Sequence, residues 1–537
     1  MKQLIPILFL FLAFHVNATT YFIATNGNDA NPGTQAQPFR NFSKINSLSL
    51  VAGDTVYIMP GTYSSGATSN SPQWCVRITG KNGTSTNPIV ISAYPYASAA
   101  RVTLDCSDFQ HTSDFVGIQM ETSSWFVFNR IRVTGIPQRV AGQVCLGWWF
   151  LNNAGNFLVN NCESDHIGNN GFRHDNTNNM TYLNCDAHHI DNPFDPGIQR
   201  HGGADGFGVY NAANTSTGTL YKKCRAYWCS DDGWDSNNFS RDITYDSCWA
   251  FWGGYVQDVF PLTHSQGGVN WGDGDGFKLG GDATIASSSN LRTAKNCVSF
   301  ENFASGFDQN LANIGMTFYN NTTYSCLKAG FFVYTQTPSP MVVRNNLSYN
   351  NGFTQNFING STTQSNNSWN GAVTVTNADF ALLTSTGVDG PRQANGDLPN
   401  LAYLHLATGS DLIAAGINVG IPFVPPAPNI GAFGTFGVAP VANAGPDQSI
   451  VLPPGATTLN GSASTGPITS YAWLQISGPG TSSIINPNTV TTTVNNLIQG
   501  SYVFRLTVTA SGQPSSSDDM NITVDNPTVI KYYGKKL

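Results

Sequence analysis

Four carboxylates are the side chains best placed to do chemistry in this sequence: Asp205 in GGADGFG (202–208), and Asp231, Asp232 and Asp235 in SDDGWD (230–235). Carboxylates gathered at one place repel one another, and a hard divalent cation offsets that repulsion. Calcium takes about six to eight oxygens from carboxylates, carbonyls and water, so calcium is the cation this group predicts. One Asp-Gly pair alone would be an ordinary turn. Lys278, in GDGDGFKLGG (272–281), follows them one repeat unit later. An amine beside a cation, or partly desolvated, loses its proton more readily, which would let Lys278 act as a general base. Asp275 in the same motif is expected to pair with Lys278 or to raise its pKa.

These residues must be held by a repeating element. A Gly-aromatic pair recurs at Gly171-Phe172, Gly206-Phe207, Gly233-Trp234, Gly276-Phe277, Gly306-Phe307 and Gly330-Phe331. A second marker is a cysteine after a polar residue, at Cys162, Cys185, Cys224, Cys248, Cys297 and Cys326. An uneven repeat of roughly twenty to fifty residues suits a β-solenoid, in which each coil keeps its strands and varies its loops. Short alternating apolar runs such as Thr317-Phe318-Tyr319 argue against helical repeats. Coils stack about 4.8 Å apart, so residues at equal phase form columns. The residue before each Gly-aromatic pair reads Asn170, Asp205, Asp232, Asp275, Ser305, Ala329; the residue after it reads Arg173, Gly208, Asp235, Lys278, Asp308, Phe332. Polar groups thus concentrate in the middle coils. For Arg173 and Asp308, substrate contact and an ordinary turn role are both open.

Low charge, 11% of residues, with 54 glycines suits an all-β chain of many short strands. The net charge of −7 argues against a nucleic-acid partner, which calls for a basic surface. Residues 1–18, with Lys2, an apolar run and Val16-Asn17-Ala18, are expected to be a signal peptide. The mature chain is then a monomer exported to the periplasm, cell surface or medium, with no membrane span. The solenoid is placed at 19–435, a linker at 436–442, a sandwich at 443–526 and a tail at 527–537. The six repeated cysteines read as small buried residues in a ladder. A disulfide stays open for Cys75, Cys106, Cys145 or the close pair Cys224 and Cys229.

GADGFG, SDDGWD, GDGFKLGG and SGFDQN (305–310), in this order and with ATGSDLI at 407–413, resemble polysaccharide lyase family nine over most of residues 20–433. The resemblance implies a right-handed parallel β-helix with Ca2+ held by Asp205, Asp231, Asp232 and Asp235, and Lys278 as Brønsted base. It implies β-elimination on a pectic polysaccharide, either homogalacturonan or rhamnogalacturonan. SYAWLQISGPG (470–480) and SYVFRLTVTAS (501–511) resemble a PKD-like, immunoglobulin-type β-sandwich. Two other readings compete. A β-helix glycoside hydrolase would recruit a pair such as Asp231 and Asp232 as acid and base, but has no need of the lysine or of four aspartates. A non-catalytic calcium-dependent glycan binder would bind without forming product. His166, His174, His188, His189, His201 and His264 lack a zinc-ligand spacing and read as surface or ladder residues. Trp148, Trp149, Trp228, Trp252 and Trp271 read first as core, with sugar stacking open.

Overall fold

The computed structural model describes residues 18–65, 73–95, 101–109, 112–193, 202–210, 218–236, 242–255, 272–281, 287–312, 314–334, 341–352, 356–359, 362–393, 395–423, 426–434, 440–466, 468–510 and 515–527. All but the last residue of the expected signal peptide, most of the expected linker and tail, and His201, His264 and Trp271 lie outside these. Among the described residues, no helix is long and apolar enough to cross a membrane.

Nearly everything is strand. Up to Ser365 the chain winds through three parallel sheets, of twelve, ten and ten strands among the described residues, and from Thr55 on successive strands go to different sheets in turn. The result is a parallel β-helix. Inward and outward residues alternate where one face of a strand is buried, as in Gly155–Asn160, whose Phe157 and Val159 point to the core.

The Gly-aromatic marker is the interior of the sheet that will carry the site. Phe172, Phe207, Trp234, Phe277, Phe307 and Phe331 are in direct register. Their rings lie parallel at 5.0, 4.9, 4.6, 4.7 and 5.1 Å, a stack running along the helix axis. Each such pair is worth about 0.5–1.5 kcal/mol beyond the area it buries. The glycine before each ring is steric: a Cβ on Gly206, Gly233 or Gly306 would lie 2.7, 2.6 or 2.7 Å from the carbonyl oxygen of the next coil's glycine.

The cysteine marker resolves into two parts. Cys162, Cys185, Cys224, Cys248 and Cys297 fall on one line, as the registers of the residues that follow them require. The line then changes to asparagine. The Cys297 amide donates to Asn321 Oδ1 (2.9 Å), Asn321 to Asn346 (3.0 Å) and Asn346 to Asn367 (2.9 Å). Cys326 is not on this line. It sits at a different corner, where its amide bonds Asn351 Oδ1, and the sixfold cysteine ladder expected from the sequence is corrected to five. The residue before each rung is left-handed, as at Asn161 (φ 52°), Asn184 (φ 55°) and Asn296 (φ 54°), which is the turn between sheets and the reason asparagine recurs there. All ten cysteines are buried, and none forms a disulfide.

A second compact unit comprises Thr376–Gln393, Pro399–Ile413 and the chain from Phe433 onward. Its larger part is a β-sandwich. One sheet orders Gln448–Val451, Ser516–Asp525, Gly500–Thr509 and Ser470–Ser477; the other orders Thr457–Asn460, Thr491–Asn495 and Ser483–Ile484. Trp473, Leu459, Tyr502, Phe504 and Ile522 fill the space between them.

Candidate active site

The residues that follow the Gly-aromatic pairs form an outward column. Register runs Trp149, Arg173, Gly208, Asp235, Lys278, Asp308, Phe332, one per coil. Asp235 and Lys278 are therefore neighbours because the strands Trp234–Asp235 and Phe277–Lys278 pair. The residues that precede the pairs form a second, deeper line. There each carboxylate caps the next coil: the Asp232 amide donates to Asp205 Oδ1 (3.2 Å), Asp275 to Asp232 Oδ1 (2.7 Å) and Ser305 to Asp275 Oδ1 (2.6 Å). The columns bring Asp205, Asp232, Asp235 and Lys278 together, and Asp231 joins them as the chain neighbour of Asp232.

Asp205, Asp231, Asp232 and Asp235 are all buried. Asp205 Oδ2 accepts from Tyr210 (2.6 Å) and Asn170 (2.9 Å). Gly208 leaves Tyr210 the room to do so, since a Cβ there would lie 2.5 Å from the tyrosine ring. Asp231 accepts backbone amides from Gly203 and Asp273. Asp232 Oδ2 and Asp235 Oδ1 are buried and accept no hydrogen bond. An unbonded buried carboxylate oxygen is costly unless a cation meets it. Burial, then the nearby Asp231 charge, push the Asp205 carboxyl up to about 7. Asp231, Asp232 and Asp235 are raised too, burial again leading. Two overlapping sets of carboxylates, Asp205–Asp232–Asp235 and Asp231–Asp232–Asp273, each place oxygens within 4.8 Å of one another. These residues fit a hard divalent cation: all donors are oxygen, two accept no hydrogen bond, and the others are pre-oriented by amides and a phenol.

Lys278 Nζ lies 3.1 Å from Asp232 Oδ2, 3.9 Å from Asp235 Oδ2 and 2.7 Å from Asp273 Oδ2. The pairing with Asp273 was not foreseen. The expected partner, Asp275, makes no ion pair with Lys278 and instead caps Ser305. Only the alternation in Gly272-Asp273-Gly274-Asp275 could have hinted that either aspartate was available. Burial would lower the Lys278 pKa, but Asp232, Asp235, Asp231 and Asp273 outweigh it and hold the amine above its usual value. The lowered pKa expected from the sequence is thus not that of the cation-free cluster.

The other predicted residues fall as follows. Arg173 stands two coils before Asp235, bonds Asp175 (2.9 Å) and lies over the rings of Tyr210 (4.6 Å) and Trp149 (5.9 Å). Asp308 stands one coil after Lys278, its Oδ1 accepting the Asn310 amide (2.6 Å). Trp149 is half-buried on this column, whereas Trp148, Trp228 and Trp252 are buried. His174 is buried against Thr177 and Tyr221, and His188 stacks on Tyr227 (4.7 Å) in an aromatic ladder. A third acidic group, Glu163–Asp165–His188, differs from the site in being matched by arginine: Arg101 and Arg132 pair with its carboxylates.

A parallel β-helix whose outward column sets one lysine against a cluster of buried, cation-ready carboxylates defines the class of β-helix polysaccharide lyases. Comparison with known proteins agrees. The model of the Pel9A-like, right handed β-helix region matches residues 21–337, and the chain belongs to that family. Residues 444–524 match the model of a PKD domain. Pectate lyase L of Dickeya dadantii (strain 3937) is 29% identical over 423 residues, covering 77% of this chain and 90% of that protein. The crystal structure of pectate lyase Pel9A superposes with a TM-score of 0.63 at 25% identity, covering 78% of this chain and 98% of that one. A rhamnogalacturonan lyase structure gives 0.61 at 26% identity, covering 73% and 97%.

Proposed function

We propose that this chain is an exported, calcium-dependent lyase that cleaves a pectic polysaccharide by β-elimination, with Lys278 as the base. The observation that carries this reading is the pair of buried carboxylate oxygens that accept no hydrogen bond, Asp232 Oδ2, which the Lys278 amine meets at 3.1 Å, and Asp235 Oδ1. Asp205, Asp231, Asp232 and Asp235 would hold the cation. Calcium there would supply Lewis-acid stabilisation of the charge that develops when the proton α to a uronate carboxylate is removed.

Lys278 takes the C5 proton as general base. In the cation-free cluster its amine is held protonated by its carboxylate neighbours, so neutralising those carboxylates is also what frees the base. Tyr210 and Asn170 fix Asp205, and the amides of Gly203 and Asp273 fix Asp231, so the ligands are oriented before the cation arrives. Arg173, held over the rings of Tyr210 and Trp149, offers a cation to a uronate two coils from the centre. The sandwich, taken as 443–526 after a linker at 436–442, serves as a spacer or binding module, and residues 1–18 as the export signal.

The test is a screen of purified protein against polygalacturonate and the rhamnogalacturonan backbone, with calcium and with chelator. Unsaturated uronides absorbing in the near ultraviolet, formed only with calcium, are expected from one polymer or both. Reducing ends without unsaturation would instead establish the hydrolase reading. Binding without any product, unaltered by replacing Lys278, would establish the glycan-binder reading.

A further inference from the structure

Three of the proposed calcium ligands are set by repeat phase. Asp205 stands on one coil, and Asp232 and Asp235 stand on the next, before and after its Gly-aromatic pair. The two coils are joined by the Asp232 amide on Asp205 Oδ1 (3.2 Å) and by the register of Phe207 with Trp234. The same phases recur two coils further along, about 10 Å away. Asp275 stands on one coil, and Ser305 and Asp308 stand on the next, joined by the Ser305 amide on Asp275 Oδ1 (2.6 Å) and by the register of Phe277 with Phe307. We propose that Asp275, Ser305 and Asp308 form a second, weaker site for a hard divalent cation, of which calcium is the type.

The serine supplies a ground independent of the carboxylates. Ser305 is 1% exposed, and its hydroxyl has no hydrogen-bond partner among the described residues. A buried polar oxygen left in that state is costly unless a ligand meets it. At the first site the side chain of this phase, Asp232, converges with Asp205 and Asp235, their oxygens lying within 4.8 Å of one another. Ser305 at the same phase is aimed between Asp275 and Asp308, and Ala329, next on that line, brings no polar atom to occupy it. Asp275 and Asp308 each accept one backbone amide on Oδ1, which orients the carboxylate and leaves Oδ2 for the ion. The two carboxylates face each other: after burial, the Asp308 charge is what most disfavours that of Asp275.

The cations already present do not fill this place. Lys278, on the outward column beside Asp308, turns its amine back toward Asp232, Asp235 and Asp273. Lys328 is exposed and favours both charges from a distance. Two carboxylates and a hydroxyl are fewer charged ligands than the first site has, and two lysines oppose the ion, so the affinity falls in the weak class of calcium sites, about 10⁻⁴–10⁻³ M. Asp308 is only half-buried, so the remaining positions of the ion open outward, to water or to a carboxylate of the polymer.

The experiment uses the full chain. Crystals soaked in terbium chloride, a strong anomalous scatterer that takes calcium's oxygen ligands, should show two ions about 10 Å apart, one at each set of residues. Calcium calorimetry in solution should resolve a tight and a weak event. Ser305→Ala removes only an oxygen without a partner, and Asp308→Asn keeps Oδ1 for the Asn310 amide. Each should leave the melting temperature and, within about threefold, the tight event unchanged, while weakening the second by about tenfold or more. Either variant carries the test if the other does not fold. A single ion in the wild-type crystal, or a weak event that both substitutions leave within about threefold, overturns the second site. Absence of an ion at either position overturns the calcium reading along with it. The two positions do not depend on β-elimination, so a wild-type chain that forms no unsaturated product would overturn the lyase reading and leave them standing.

Discussion

Lys278 has three carboxylates within 4 Å, and that crowding sets what its replacement should show. Lys278→Ala removes the base but leaves the aspartates in place. Calcium should bind at least as tightly, because the ammonium that pairs with two of its ligands is gone, while the chemical step falls by about 10²–10⁴-fold, measured in single-turnover experiments. Arginine should rescue poorly, since it has almost no neutral form. Near-normal turnover in Lys278→Ala would remove the lysine from the mechanism. A second expectation concerns pH. Burial and the neighbouring Asp231 push the Asp205 carboxyl up to about 7, so below that pH it holds a proton that calcium must displace. Calcium affinity should therefore rise with pH up to about 7, and binding near pH 6 should release protons. Calorimetry in buffers of different ionisation enthalpy reads that release, and a pH-independent affinity would contradict it. At this scale the sequence was a good guide to identity and a poor one to environment. Types and spacing named the four aspartates and the lysine, because equal repeat phase becomes adjacency across a sheet. They could not tell Asp273 from Asp275, since which of two alternating aspartates turns outward depends on the loop backbone. Nor could they reveal that Tyr210 reaches back to Asp205, a contact opened by the absence of a side chain at Gly208.

Between residue and molecule lies the coil, and here the glycines decide. A Cβ on Gly233 would meet the Gly276 carbonyl oxygen at 2.6 Å, with the methyls of Ala250 and Ala226 at 3.3 and 3.4 Å leaving little room to yield. Gly233→Ala should cost about 1–3 kcal/mol or more, seen as a lower denaturant midpoint, and should loosen the Asp232–Asp235 segment it lies in. An alanine variant as stable as wild type would show that the coils can part locally. The same glycines explain why the solenoid was readable from sequence: each repeat has to carry a residue without a side chain before its aromatic rung. The cysteine marker was less faithful. Cysteine and asparagine serve the same line of rungs, so following one letter lost the ladder at Asn321 and wrongly added Cys326. Composition could not separate the two corners, because at each a buried polar or thiol side chain is bonded by a neighbouring coil.

At the level of the whole molecule, every residue assigned to the reaction lies between Asn170 and Asp308, in the β-helix unit. A chain ending near residue 440 should turn over soluble polymer at close to the full-length rate, as a continuous lyase assay would show. Loss of activity in a truncated chain that stays folded would mean that the sandwich takes part in turnover. The ten buried thiols have a consequence of another kind. A secreted protein usually gains resistance to unfolding from covalent cross-links made after export. Here no cysteine forms a disulfide, and cohesion comes from rings, amides and registered strands. Folding should then be indifferent to the redox poise of its surroundings: melting curves with and without dithiothreitol should superimpose, and the same active enzyme should be recoverable from a reducing cytoplasm.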